Sequence, residues 1–332
     1  MTRHEESLFP DQQFVLHIGL SKTGTTTLQQ SVFLKHPEIR YLGKDRDMLD
    51  IPRECTSLKA HAILNPLLWD HQAPLDASSF LEAMESISEI PLAKTCLWLA
   101  SWEEFGNRPL RIHLQSLRRI RQVFGTCRML VCLRNPLDRL PSEYLQELRY
   151  RYLELRSDSW RSWFHPFYRS LDCWMRIQRR TGHLQRLLGT GELVRESMAI
   201  VGPEHVGVLL YEDFIKDPAK FMNSLSGFLG VEALPALQTL HQESGHLNAR
   251  MTQGQYQYLR QLQGSLWKRY RCLRQKKRRR RREFTDHGKD GIPERAVLSE
   301  KWQQMVANET RQGHRWLAET FQLPLEEYGY PM

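Results

Sequence analysis

The sequence lacks any long apolar run and any obvious targeting segment. No stretch of its 332 residues approaches the roughly 20 apolar residues that a membrane-spanning helix requires. Residues 1–13 are polar and partly acidic, without the basic and then apolar pattern of a secretory signal. These features predict a soluble, globular, cytoplasmic protein.

Cysteines are few, and none of the six forms a Cys-x-x-Cys pair, which argues against a zinc site or a thioredoxin-type motif. Cys96, Cys127 and Cys132 lie in or beside apolar, strand-like runs. We therefore expect buried free thiols in a reducing compartment. The sequence also shows no cluster of metal ligands, and we expect no metal cofactor.

Charge is unevenly distributed along the chain. The formal net charge is +9, and the run Lys276–Arg282 supplies seven positive charges by itself. A basic surface suits anionic partners such as nucleotides, acidic glycans, nucleic acid or anionic lipid. No aromatic residue interrupts the run, which disfavours a stacking platform for nucleic-acid bases. We expect residues 276–282 to form a basic loop, and two interpretations stay open: a solvated loop, or a binding site for an acidic acceptor, nucleic acid or a membrane surface.

Apolar runs alternate with segments of helical spacing. Strands are predicted at 14–19, 95–100, 128–133 and 206–211, and helices at 28–35, 110–124, 136–156, 160–188 and 218–229. This alternation predicts an α/β fold with a mostly parallel central sheet and helices on both faces. The part from about residue 246 is predicted to be helical. No linker forces a second domain, so we expect a single α/β domain over residues 1–332.

A glycine-containing turn from Ser21 to Thr27 connects the first predicted strand to the following helix. Such a turn binds anions because backbone N–H groups and the helix dipole face the ligand, and three consecutive threonine hydroxyls add donors. Gly19 and Gly24 have the separation of an ATP-type P-loop, but Thr25 occupies the position of its lysine. The lysine lies earlier, at Lys22, which argues against an ATPase or a kinase.

A second motif follows the third predicted strand. Arg134 lies at the carboxyl end of that strand, where open α/β sheets bind ligands. Asn135 and Pro136 are favourable N-cap and N1 residues for the next helix. Ser142 follows eight residues after Arg134, and an arginine fork with a hydroxyl suits a phosphate. Pro141 removes a helical N–H and can kink the helix just before Ser142.

Both motifs resemble those of the sulfotransferases that use 3′-phosphoadenosine-5′-phosphosulfate (PAPS), especially the bacterial and carbohydrate branches. The segment Lys22-Thr-Gly-Thr-Thr26 is similar to the family's 5′-phosphosulfate loop, and Arg134 with Ser142 is similar to its 3′-phosphate motif. The resemblance implies a sulfotransferase fold related to P-loop NTPases, PAPS as co-substrate and no metal. It implies that Lys22 contacts the bridging oxygen of the phosphosulfate. It assigns the 5′-phosphate to the remaining loop residues, Ser21, Thr23, Gly24, Thr25, Thr26 and Thr27.

Two later segments also resemble the family. Leu210-Tyr-Glu-Asp-Phe214 is similar to its Tyr-Glu-Asp segment, which implies that Tyr211 lines the adenine pocket. A plain core tyrosine is the alternative interpretation of Tyr211. The closing segment 323–331 is similar to the end of bacterial members.

A general base is expected at the end of the second predicted strand, because a carboxylate there faces the ligand crevice. Many related proteins carry Ser-x-Glu at this point, which indicates Glu103, and Glu104 is the alternative. His17 lies within the first predicted strand, and we interpret it as a core histidine. Weaker candidates for the base are the histidines at positions 36, 61 and 71.

Together these patterns predict transfer of a sulfuryl group from PAPS to a hydroxyl or amine. The carbohydrate-type loop and the basic surface favour a glycan acceptor, by analogy alone. The alternative enzyme is an ATP- and magnesium-dependent P-loop phosphotransferase, which would need a strand-end aspartate such as Asp213. A nucleic-acid-binding protein is a further alternative, but it leaves both phosphate motifs unexplained.

Overall fold

The structure is a computed structural model that describes residues 7–43, 58–87, 97–153, 170–233, 251–289 and 291–332. Cys96 and parts of the predicted helices 136–156 and 160–188 lie outside the described residues. The chain groups into two compact units, and the expectation of a single domain stays a prediction. The first comprises Met1–Arg134, Gly189–Leu247 and Gln312–Tyr328; the second comprises Asn135–Leu188, Asn248–Arg311 and Gly329–Met332.

The first unit contains a parallel sheet. Its strands are β1 (Gln13–Gly19), β2 (Ile39–Tyr41), β3 (Leu97–Ser101), β4 (Cys127–Leu133) and β5 (Val206–Leu210), in the order β2-β3-β1-β4-β5. β1 lies at the centre, and its Phe14 is opposite Trp98 of β3 and Cys127 of β4. The predicted parallel sheet is confirmed. The edge strand β2 was not predicted, because three residues are too short to show a period.

Helices make up most of the remaining described structure. They are α1 (Thr25–Thr27), α2 (Leu58–Leu64), α3 (Ala77–Ile87), α4 (Leu110–Phe124), α5 (Pro136–Leu153), α6 (Leu171–Arg180), α7 (His183–Leu188), α8 (Thr190–Val201), α9 (Tyr211–Lys216), α10 (Pro218–Leu229), α11 (Gln253–Gln263), α12 (Leu266–Leu273), α13 (Lys277–Asp286) and α14 (Glu300–Phe321). α1 and α2 continue into π-helical turns at Leu28–Phe33 and Asn65–Trp69, and 3₁₀ turns occur at Glu103–Asn107 and Pro203–His205. The predicted bounds of α4 and α10 are confirmed. No helix among the described residues has the length and apolar character needed to cross a membrane.

The sheet is covered by helices on its two faces. Alternate residues of a strand point to opposite faces. Val15 packs in a core cluster with Val32 after α1 and Leu225 of α10. Phe14, the neighbour of Val15, contacts Phe124 of α4, with 4.9 Å between ring centroids. Both faces of β1 are therefore buried, which explains its continuous apolar run.

The second unit is helical in its described residues and has its own core. Tyr144 of α5, Trp174 of α6 and Trp302 of α14 belong to one buried cluster. The helical character predicted from about residue 246 is observed from Gln253 onward. The helix α5 continues through Pro141 without a break.

The basic run differs from the prediction of a loop at 276–282. Lys276 is the N-cap of α13, and the run continues as helix. Arg280 is only 3% exposed, and its Nη1 donates a hydrogen bond to the Gln275 carbonyl oxygen at 3.0 Å. Glu283 accepts a hydrogen bond from Arg279 Nε at 3.1 Å. The Gln275 carbonyl oxygen thus binds Arg280, and the Glu283 carboxylate binds Arg279 four residues earlier. These two contacts offset part of the positive charge that suggested a solvated loop.

Candidate active site

The loop between β1 and α1 turns within very little space. A Cβ atom at Gly19 would lie 1.7 Å from Thr25 Cγ2, so only glycine fits at the end of β1. Gly24, the N-cap of α1, has φ 78°, and Lys22 has φ 67°. Positive φ is unfavourable for a lysine and is found mostly where the surroundings impose it. The sequence pattern predicted the turn but not this conformation of Lys22.

Internal hydrogen bonds fix the loop. Thr23 is buried, and its Oγ1 donates to the Leu20 carbonyl oxygen at 2.6 Å. The Leu28 N–H donates to the Gly24 carbonyl oxygen at 3.1 Å, which continues the helix from the loop. Ser21 Oγ is buried and has no hydrogen-bond partner within the described residues. An unsatisfied buried hydroxyl is costly, and beside an anion-binding turn it is a donor suited to a ligand oxygen.

Arg134 lies against this loop. Its Nη1 donates to the Lys22 carbonyl oxygen at 2.9 Å, which joins the end of β4 to the turn after β1. Its guanidinium carbon lies 4.8 Å from the centroid of the Tyr211 ring, a cation–π distance. The structure therefore brings together three residues that the sequence predicted for the site from separate motifs: Lys22, Arg134 and Tyr211.

Tyr211 is the first residue of α9 and directly follows β5. A Cβ atom at Gly24 would lie 3.5 Å from Tyr211 and 3.2 Å from Phe214. Gly24 is thus required both by its positive φ and by the close approach of these rings. Sequence reasoning missed Phe214, whose spacing of three residues from Tyr211 on a helix was the available signal.

Glu103 begins the 3₁₀ turn that follows β3 and is half-buried. Its Oε1 accepts a hydrogen bond from Thr25 Oγ1, the first residue of α1. The predicted base and the predicted phosphate loop are therefore direct neighbours. The side chain of Glu104 lies outside the described residues.

Buried polar side chains of β1, β3, β4 and the turn after α1 contact one another. His17 is fully buried, and its Nδ1 is 2.7 Å from Ser101 Oγ, while its Nε2 is 3.4 Å from Cys132 Sγ. Gln29 Nε2 donates to Ser101 Oγ at 2.8 Å. These contacts confirm the interpretation of His17 as a satisfied core histidine. Burial raises the pKa of the Cys132 thiol to about 12, so Cys132 is an inert buried thiol, as predicted.

The weaker histidine candidates have other partners. His36 Nε2 is 2.8 Å from the Glu232 carbonyl oxygen, and His71 Nε2 is 2.9 Å from Ser116 Oγ. Burial and then the charge of Arg119 hold the pKa of His71 below its usual value. Neither contact places a histidine on the loop after β1.

Asn135, Pro136 and Ser142 belong to the second unit. Asn135 Oδ1 accepts a hydrogen bond from the Leu137 N–H at 3.0 Å, and Pro136 is the first residue of α5. The predicted N-cap and N1 pair is therefore confirmed. Ser142 lies on α5 and is half-buried. Its role at a phosphate stays a prediction.

Asp213, the aspartate that a magnesium-dependent phosphotransferase would need, has a protein partner. Tyr328 Oη donates a hydrogen bond to Asp213 Oδ1 at 2.5 Å. This bond raises the pKa of Tyr328 to about 12, because the neutral phenol is the form that can donate. The contact ties the closing segment of the chain to α9.

A comparison with models of protein families finds a match over most of the chain. The model of the sulfotransferase domain matches residues 12–292. No curated protein matches the chain. A sulfotransferase from Alicyclobacillus acidocaldarius is 15% identical, with 95% of this chain and 98% of that chain covered and a TM-score of 0.47. For a sulfotransferase domain from the curacin biosynthetic pathway the identity is 16%, the coverage 68% and 76%, and the TM-score 0.38. For a mouse sulfotransferase complexed with PAP the identity is 14%, the coverage 72% and 68%, and the TM-score 0.35.

Proposed function

Because the chain belongs to the sulfotransferase domain family, which makes it a sulfuryl-transferring enzyme, we propose that its β1–α1 loop binds the 5′-phosphosulfate of PAPS. The observation that carries this proposal is the position of Arg134 on the loop, 2.9 Å from the Lys22 carbonyl oxygen and stacked towards Tyr211. Two further features fit a bound phosphate. The buried Ser21 hydroxyl has no hydrogen-bond partner within the described residues, and at Gly24 only glycine leaves room for the neighbouring rings. PAPS would supply the activated sulfuryl group.

Lys22 is proposed to act on the leaving group. The S–O bond to the bridging oxygen breaks during transfer, and negative charge develops on the departing phosphate. A lysine held by its own backbone conformation, at φ 67°, is preorganised to stabilise that charge. The loop residues Ser21, Thr23, Gly24, Thr25, Thr26 and Thr27 would bind the 5′-phosphate. Thr23 and Thr25, whose hydroxyls donate to the Leu20 carbonyl oxygen and to Glu103, would contribute backbone N–H groups, and the other serine and threonine residues could add their hydroxyls.

Arg134 and Ser142 are proposed to bind the 3′-phosphate, Ser142 on the strength of its motif alone. The Arg134 guanidinium has donors in addition to the one that binds the loop. Tyr211 would contact the adenine through the ring that Arg134 approaches.

Glu103 is proposed as the general base. It would take the proton of the acceptor hydroxyl or amine on a carboxylate oxygen while the acceptor atom forms its bond to sulfur. The contact of Glu103 with Thr25 supports this role, because it places the carboxylate beside the loop that would hold the donor. Thr25 would orient the carboxylate, since its hydroxyl occupies Oε1.

The class of acceptor and the cellular compartment are also proposals. The net charge of +9 supports an acidic or carbohydrate acceptor. The buried free thiols of Cys127 and Cys132 support a reducing compartment such as the cytosol. A kinase is not favoured, because Tyr328 engages Asp213 and the family model is that of a sulfotransferase.

The test is label transfer. The enzyme would be incubated with sulfur-labelled PAPS, or with γ-phosphorus-labelled ATP and magnesium, against one panel of glycans, alcohols and amines. We expect sulfur label in at least one acceptor and no phosphorus label. Phosphorus transfer would establish the alternative reaction instead. Arg111→Ala, an exposed cation on α4, is a matched control for variants of Arg134.

A further inference from the structure

A cavity of about 590 Å³ lies in the second unit, between α6 and the beginning of α14. Four cations and one carboxylate line it: Arg176, Arg179, Arg180, Lys301 and Asp172. The lining therefore has a formal excess of three positive charges. Ligand sites in proteins commonly have volumes of about 300–1,000 Å³, so the cavity can hold a molecule rather than a single ion.

The arginines of α6 are spaced so that they meet on one face. Arg176, Arg179 and Arg180 stand at i, i+3 and i+4, where like charges destabilise a helix. The negative end of the helix dipole favours cations in the last turn, which accounts for Arg179 and Arg180. Arg176 lies one turn earlier, four residues after Asp172, where an acid–base pair is favourable, and its Nε donates to the Asp172 carbonyl oxygen at 3.3 Å. The mutual repulsion of the three arginines remains unfavourable, and a bound anion would offset it.

Lys301 is placed against the dipole of its own helix. It is the second residue of α14, at the positive end, where a cation is unfavourable. Among the described residues, no acidic side chain forms an ion pair with Arg179, Arg180 or Lys301. An external anion in the cavity would offset this concentrated positive charge.

The walls of the cavity are held by the core of the second unit. Trp174 and Met175 of α6 and Trp302 and Val306 of α14 belong to one buried cluster. Ser299 Oγ donates to Asp172 Oδ1 at 3.1 Å and links the residue before α14 to α6. The two helices are thus held together by their packing, and the four cations that they carry are exposed to solvent.

The remaining lining indicates what kind of anion fits. Asp172 would repel a bare phosphate or sulfate but can accept hydrogen bonds from sugar hydroxyls. Ser299 adds a hydroxyl, and Trp302, which is 5% exposed, also borders the cavity. We propose that this cavity binds an acidic saccharide that carries more than one sulfate or carboxylate group. The proposal stands independently of the proposed catalytic site, because the cavity shares no lining residue with it.

The test is calorimetric titration of the full chain with a disaccharide that carries two sulfate groups. Parallel titrations use the same disaccharide without sulfate, sodium sulfate alone and a short single-stranded oligonucleotide. Arg176→Gln and Lys301→Gln each remove one cation from the lining. Arg295→Gln is the matched control, an exposed arginine of the second unit outside the cavity. Circular dichroism checks that each variant is folded.

We expect the disulfated disaccharide to bind and the unsulfated one to bind much more weakly. Arg176→Gln and Lys301→Gln should each weaken binding about tenfold or more, with Arg295→Gln unchanged, because each lost pair is charge-assisted. Affinity should fall as salt is raised. Equal effects of all three variants would overturn the proposal, as would tighter binding of the oligonucleotide or of sulfate alone. If Arg176→Gln does not fold, the comparison of Lys301→Gln with Arg295→Gln decides.

Discussion

The guanidinium of Arg134 donates a hydrogen bond to the carbonyl oxygen of Lys22 at 2.9 Å. This contact joins residues 112 positions apart and brings the end of β4 to the loop after β1. It makes Arg134 a support of the loop as well as a candidate ligand of the 3′-phosphate. Variants of the two residues therefore separate binding from chemistry.

Arg134→Ala should weaken the binding of adenosine 3′,5′-bisphosphate by roughly 10- to 150-fold, which corresponds to about 1.5–3 kcal/mol for a charge-assisted hydrogen bond. It should weaken AMP binding less, because AMP lacks the 3′-phosphate. Calorimetry with both nucleotides measures the difference. Arg111→Ala should leave both affinities unchanged, and an equal loss for the two nucleotides would assign Arg134 to loop support alone.

Replacement of Lys22 should lower turnover more than it lowers affinity for adenosine 3′,5′-bisphosphate, because the proposed charge stabilisation arises in the transition state. Lys22→Gly is the suitable variant, since glycine adopts the φ of 67° without strain. Lys35→Ala, an exposed lysine, is the control. If nucleotide affinity collapses while turnover at saturation stays normal, Lys22 only binds.

Glu103→Gln should lower turnover by roughly 10²-fold or more, within the range for general-base catalysis, with little change in nucleotide affinity. Glutamine keeps an oxygen that can accept the hydrogen bond from Thr25, so the contact itself survives. Glu82→Gln, an exposed glutamate, is the control. A mild Glu103→Gln together with a severe Glu104→Gln would move the base by one residue.

Gly24→Ala should destabilise the first unit and abolish nucleotide binding. The new methyl group would meet Phe214 at 3.2 Å on a backbone with φ 78°. Strain of this kind costs about 1–3 kcal/mol. Gly227→Ala on α10 is the matched control: its Cβ atom would meet nothing within 4 Å, and it should stabilise by about 0.5–1 kcal/mol. Thermal unfolding measures both, and two variants of equal stability would contradict the account of the loop.

The sequence predicted four of the five described strands, and both motifs, because each is local and carries its own signal. The run from Phe14 to Gly19 is apolar throughout, and its glycine-containing turn follows at once. The bond between Thr25 and Glu103 joins residues 78 positions apart, and nothing in the local pattern of either residue specifies it. The helix through the basic run was missed because the contacts of Arg280 and Arg279 with Gln275 and Glu283 are also not visible as a hydrophobic period.

The central claim is that this loop binds a 3′-phosphorylated adenosine nucleotide for sulfuryl transfer. Calorimetric titration of the wild-type enzyme with adenosine 3′,5′-bisphosphate, AMP, and ATP with magnesium tests it most directly, since none of the three needs an acceptor. The account predicts that the bisphosphate binds at least about tenfold more tightly than AMP, with ATP weaker and indifferent to magnesium. Equal affinity for the bisphosphate and AMP, or tight binding of ATP that depends on magnesium, would contradict it.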